Sequence, residues 1–105
     1  MASSKQYLAF ILDQFSGLEG ITCRPMMGEY LLYYQGKLFG GIYDDRLLVK
    51  NIQSARKVMP AAELELPYEG AKEMLSVTDV DDRELLSRLV KEMWDELPAP
   101  KKGRR

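Results

Sequence analysis

The chain contains no histidine, one cysteine and no long apolar run. Without histidine it lacks the usual general base near neutral pH and the commonest nitrogen ligand for zinc, copper or haem. Ser-His, Cys-His and zinc-hydrolase chemistries are therefore excluded. The lone Cys23 excludes an internal disulfide and fits a reducing compartment. The apolar runs are far short of the roughly 20 residues that cross a bilayer. The opening MASSKQYLAFIL runs in helical period into Asp13-Gln14, unlike a cleaved leader. A cytoplasmic protein with no membrane partner is the expectation.

What is present describes one ordinary globular domain. The 105 residues are 46% hydrophobic and 30% charged, enough for one core and too few for two. The formal charge of −1 hides a division. Lys101, Lys102, Arg104 and Arg105 lie beyond Pro98, which leaves residues 1–97 with eleven basic against sixteen acidic side chains. We expect a single domain over 1–97 and a flexible basic tail over 98–105. An acidic body disfavours a broad nucleic-acid footprint, since backbone binding displaces counterions with Lys and Arg.

The organising stretch is Arg24 to Lys50, RPMMGEYLLYYQGKLFGGIYDDRLLVK. Gln35-Gly36 and Asp44-Asp45 read as two-residue hairpin loops between strands at 29–34, 37–43 and 47–51. That spacing pairs Tyr33 with Leu38, Leu31 with Gly40, Ile42 with Leu47 and Gly40 with Val49. Strand alternation then puts Leu31, Tyr33, Leu38, Ile42, Leu47 and Val49 on one face, expected to be the core. Tyr30, Leu32, Tyr34, Phe39, Tyr43 and Leu48 fall on the other, with Lys37, Arg46 and Lys50 at its margins. A face so rich in apolar and aromatic side chains needs a cover. These nine residues form the candidate interaction surface. A register slip of one residue exchanges the two faces.

Around this stretch, Ser3 or Ser4 caps a helix carrying Leu8, Ile11, Leu12, Phe15 and Leu18 and ending near Gly17 and Gly20. Residues 21–24 enter as a strand or bulge. Asn51 is expected to cap a short helix over 52–59, closed by Pro60. Residues 61–70 read as a loop or brief edge segment, and 72–78 as a strand with Met74 or Leu75 inward. The acids Asp79, Asp81, Asp82 and Glu84 precede a helix striped with Leu86, Leu89, Val90, Met93 and Leu97. The fold class is α+β with two layers: an antiparallel sheet of about four to five strands, N-terminal and C-terminal helices, and one short middle helix.

Taken alone, the remaining candidates have plain structural readings. The acids at 79–84 lack the glycine and distal glutamate of a calcium loop and read as helix capping. Cys23, Met26 and Met27 read as buried packing rather than soft-metal ligands. Gly28 and Gly36 are turn residues, and Gly40-Gly41 marks either the close approach of a ligand or, at least as well, a strand crossing, a bulge or a tightly packed helix. No cofactor or metal is implied, and no catalytic residue stands out.

Arg24, Met26, Gly28 and Tyr30 in R-P-M-M-G-E-Y, then Gly36 and Phe39 in G-K-L-F, then Asp44, Asp45 and Lys50, resemble the N-terminal domain of the TfoX (Sxy) competence-regulator family. The resemblance implies a two-layer α+β fold, membership in a transcription- or competence-linked family and no established catalysis. The expected function is a non-enzymatic domain acting through protein contacts, a homodimer among them, with the other partner unknown. The rival reading is nucleic-acid binding by the basic, aromatic sheet face and the tail. It is disfavoured by the acidic body and by the lack of an RNP-type signature.

Overall fold

The computed structural model describes residues 3–98. In chain order the elements are α1 (Lys5–Gln14), β1 (Ile21–Met26), β2 (Glu29–Tyr34), β3 (Lys37–Ile42), β4 (Leu47–Val49), α2 (Gln53–Val58), β5 (Leu64–Glu65), β6 (Met74–Val77) and α3 (Arg83–Trp94). The architecture is the expected α+β arrangement, with a six-stranded antiparallel sheet in the order β1-β2-β3-β4-β6-β5. The extra strands are β1 and the two-residue β5, both at edges. The expected basic tail lies outside the described residues.

Local chemistry sets the element boundaries. The Ser4 hydroxyl caps α1 by accepting from the Tyr7 amide, and Asp82 caps α3 by accepting from the Leu85 amide. All three β1–β4 turns carry two consecutive residues at positive φ: Met27-Gly28 at 53° and 87°, Gln35-Gly36 at 47° and 84°, Asp44-Asp45 at 53° and 55°. This is the type I′ geometry, whose twist matches that of the flanking strands. The helix over 83–94 buries Leu86, Leu89, Val90 and Met93 completely. Each such burial is worth about 2 kcal/mol relative to exposure.

Two expectations need correction. Asn51 does not cap α2: its side chain accepts from Arg56 instead. The N-cap residue is Ile52, which has no side-chain acceptor, and the Glu96 carboxylate just beyond α3 accepts from the Gln53 and Ser54 amides at 3.1 and 2.7 Å. A carboxylate from a distant segment meets donors that the helix itself leaves unsatisfied. Those bonds, the Ser54 amide foremost, hold the Glu96 carboxyl below its ordinary range. A carboxyl depressed in the folded state stabilises it at neutral pH and stops doing so as pH falls through the folded-state value. Glu96→Gln is therefore expected to lower the thermal midpoint at pH 7, with the gap to wild type closing as the pH is taken below the glutamate range. An equal gap at every pH would rule out the charge as the cause.

The second correction concerns the layers. The core is formed by Leu32, Tyr34, Phe39, Ile42, Leu47, Val49, Leu75 and Val77 of the sheet against Ile11 and Phe15 from the α1 region, Ala55 of α2, and Leu86, Leu89, Val90, Met93 and Leu97 from the α3 region. Phe15 meets Phe39 edge-on at 5.6 Å. All three helices thus serve one face of the sheet. The expected core residues Ile42, Leu47 and Val49 are in place, but Leu31, Tyr33 and Leu38 are on the opposite side and only half-buried. The cause is a break in register between Leu32 and Tyr33. Tyr33 pairs with Leu38 as expected, but Leu32 pairs with Gly40 and Leu31 with Gly41, so Phe39 is an extra residue in β3. One inserted residue exchanges the faces on one side of the bulge and preserves them on the other.

Candidate interaction face

The bulge splits the nine residues of the expected surface. Leu32 and Phe39 are fully buried and Tyr34 is 8% exposed; Tyr30 packs partly buried against the same core. These four are core residues under the helices, not a docking surface, and Tyr34 and Phe39 offer no free ring to a nucleic-acid base. Lys37 stays with them. Its ammonium lies 3.7 Å from the centroid of the Trp94 ring and donates to the Trp94 carbonyl at 3.0 Å, while the indole N–H donates to the Tyr34 carbonyl at 3.1 Å. A cation at the end of α3 meets the helix carbonyls and an aromatic face together.

Tyr43, Arg46, Leu48 and Lys50 are turned to the face without helices. There they join Leu31, Tyr33 and Leu38, and across β1 the exposed Thr22 and Arg24. This face has two halves. Over β4, β6 and β5 the chain covers itself. Tyr68 tilts against Tyr43 with ring centroids 6.1 Å apart, and Tyr43 and Leu48 are enclosed at 5% and 0% exposure. Arg46 fastens this cover, donating from Nε to the Tyr43 carbonyl, from Nη1 to Glu65 at 2.6 Å and from Nη2 to the Pro67 carbonyl. Burial, then the neighbouring Tyr68, Glu29 and Tyr33, push the Tyr43 phenol above its ordinary value.

Over β1, β2 and β3 the same face is less enclosed, with Thr22 and Arg24 exposed. Leu31, Tyr33 and Leu38 remain partly exposed there, between Arg24 on one side and Lys50 on the other. Burial lowers the Lys50 ammonium from its ordinary value. The two ion pairs among the described residues, Arg46–Glu65 and Arg83–Asp13, involve neither cation. Leu31, Tyr33, Leu38 and Arg24 were not in the expected surface; a bulge was one of several readings of Gly40-Gly41, and it is the one that turns the first three outward.

The other motif residues have structural work. Asp44 and Asp45 tolerate the left-handed conformation better than most side chains. The Asp44 amide donates to Glu29, the Asp45 amide to the Ser3 hydroxyl, and the Ser3 hydroxyl to Glu29 at 2.6 Å. The Ser4 amide donates to the Asp45 carboxylate and the Ser3 amide to the Gly28 carbonyl. The start of the chain is thereby tied to two hairpin tips. Met26 pairs with Glu29 beside the turn. Cys23 packs half-buried against the core, as expected. Met27 does not pack: it is 96% exposed at a hairpin tip, because the turn points both of its residues away from the sheet. Among the described residues no cluster of ligating side chains could hold a metal ion, and no helix is long and apolar enough to cross a membrane.

A protein of Spirochaeta aurantia, described as an uncharacterized 12.7 kDa protein in the trpE 5′ region, is 33% identical over 102 residues, covering 96% of this chain and 89% of the relative. No solved structure matches. The family model for the TfoX N-terminal domain matches residues 13–97, from within α1 to the end of the core, and the chain belongs to that competence-linked regulatory family.

Proposed function

We propose that this domain is a non-enzymatic regulatory module that works by binding protein, through the helix-free half-face formed by Leu31, Tyr33 and Leu38. The observation that carries the reading is the one-sided cover of the sheet. Three helices serve one face, the 65–68 segment serves half of the other, and the remainder keeps partly exposed apolar side chains between two cations, Arg24 and Lys50, that have no carboxylate partner among the described residues. An apolar strip between uncompensated positive charges fits a protein segment whose apolar side chains are flanked by acids. The family's regulatory character and the absence of histidine support a binding role over catalysis. A reducing cytoplasm suits the single free thiol.

Leu38→Glu places a carboxylate in the strip at a position that is already partly solvated, so the fold should survive. Capture from the native cell with wild-type domain and with this variant identifies any partner lost only from the variant. That partner, purified, is expected to bind wild type at least about tenfold more tightly than Leu38→Glu. Identical retention by both domains would remove the half-face as the binding surface.

A further inference from the structure

The two edges of the sheet differ in kind. β5 offers two residues, whereas β1 offers six. In an antiparallel ladder every second residue of an edge strand turns its N–H and C=O away from its neighbour. The phase along β1 is fixed by the Gln35 amide, which donates to the Gly20 carbonyl at 2.8 Å. By alternation Thr22, Arg24 and Met26 bond to β2 through their pairs Tyr33, Leu31 and Glu29. Ile21, Cys23 and Pro25 therefore point their backbone groups outward. Pro25 fits this phase, since its missing N–H falls where no bond to β2 is lost. Among the described residues no bond outside the ladder ends on the Ile21 or Cys23 amide.

We infer that β1 is the pairing edge for a second copy of this chain, lying antiparallel to its counterpart about a two-fold axis at Cys23. In that register the Cys23 N–H of each copy donates to the Cys23 carbonyl of the other. The Ile21 N–H donates to the opposing Pro25 carbonyl. The outward pattern is symmetric about Cys23 apart from the missing Pro25 donor, and every outward-facing residue of the strand is used. The occupant is a second copy because the same edge satisfies itself, and because two-residue β5 is too short to take β1 head to tail. The assembly closes as a dimer and does not extend into a fibre. Its contact is a strand edge and not a broad surface, so the affinity is at the weak end for protein pairs.

This inference shares with the preceding proposal only the premise of protein contact and uses a different surface. Sedimentation velocity in reducing buffer, up to roughly millimolar chain, the weak end of protein affinities, reads it directly. Wild type, Cys23→Ala and Leu38→Glu are expected to dimerise alike. Cys23→Pro, which repeats the native Pro25 arrangement two residues earlier, removes the central donors and raises Kd about tenfold or more, with the circular dichroism unchanged. Pro25→Thr restores a donor opposite the Ile21 carbonyl and lowers Kd about tenfold. A strict monomer throughout that range, an unchanged Kd in both β1 variants, or dimerisation lost in Leu38→Glu would each overturn the inference. If Cys23→Pro does not fold, wild type treated with a short bismaleimide decides the matter. A Cys23–Cys23 adduct between copies supports edge pairing, and its absence where the dimer is populated overturns it.

Discussion

Phe39→Ala is expected to lower the unfolding free energy by about 4 kcal/mol, the usual loss for emptying a buried aromatic site. Phe39 has no exposed surface and meets Phe15 edge-on beneath the helices. The loss combines the transfer of the ring to water with the cavity left between two rigid layers, which close only partly around it. Leu38→Ala, one residue away on the opposite face, is expected to cost about 1 kcal/mol, because that side chain already meets solvent. Urea denaturation of the two variants measures the difference. Were Phe39 an exposed contact residue the order would reverse, and the assignment of the core to the helix side of the bulge would fall.

Gly40→Ala is the second large effect, an expected loss of about 3 kcal/mol from overpacking against an immobile neighbour. A β-carbon at Gly40 would sit 2.8 Å from the Val49 α-carbon and 3.2 Å from the Leu48 carbonyl carbon, with the Leu48 carbonyl oxygen closer still. These are backbone atoms of the adjacent strand, so no side-chain rotation relieves the clash. Either β4 moves away, weakening its pairing with β3, or the bulge is lost and the sheet returns to a regular alternation that exposes Phe39. Gly17→Ala is the matched control, since a β-carbon there meets nothing within 4 Å. Equal midpoints for Gly40→Ala and Gly17→Ala in chemical denaturation would show that the close approach of β3 and β4 does not hold in solution.

Both expectations turn on one residue of register, where the sequence was half legible. The turns at 35–36 and 44–45 were readable from Gly36 and from paired aspartates, and the pairs Tyr33–Leu38, Ile42–Leu47 and Gly40–Val49 follow from them. Counting from both turns gives a regular ladder with Leu31 opposite Gly40, whereas the structure has Leu31 opposite Gly41, with one extra residue in β3. Neither turn signals that extra residue. Gly40-Gly41 restricts the place, because the bulged segment lies against backbone on one side and under the Tyr43 ring on the other. The candidate face was therefore half misread: Lys37, Tyr34 and Phe39 went inside, while Leu31, Tyr33 and Leu38 came out.

The cap on α2 was illegible for a different reason. Asn51 is a good capping residue by type, but the carboxylate that serves α2 comes from Glu96, over forty residues further along. Sequence-local rules find donors and acceptors within a turn of each other. They do not find a partner delivered by the packing of another helix.

By itself the sequence determined the class of fold, the three helices, the hairpin turns, the apolar stripe of α3 and the exclusion of histidine chemistry. All of these are set by periodicities and turn preferences acting over a few residues. Only the tertiary structure decided which side of the sheet the helices cover, and with it which aromatic residues are core and which stay partly exposed. A strand's side chains alternate every residue, so a single unpaired position reverses the assignment, and that position is chosen by the fit of Gly40 against the neighbouring strand.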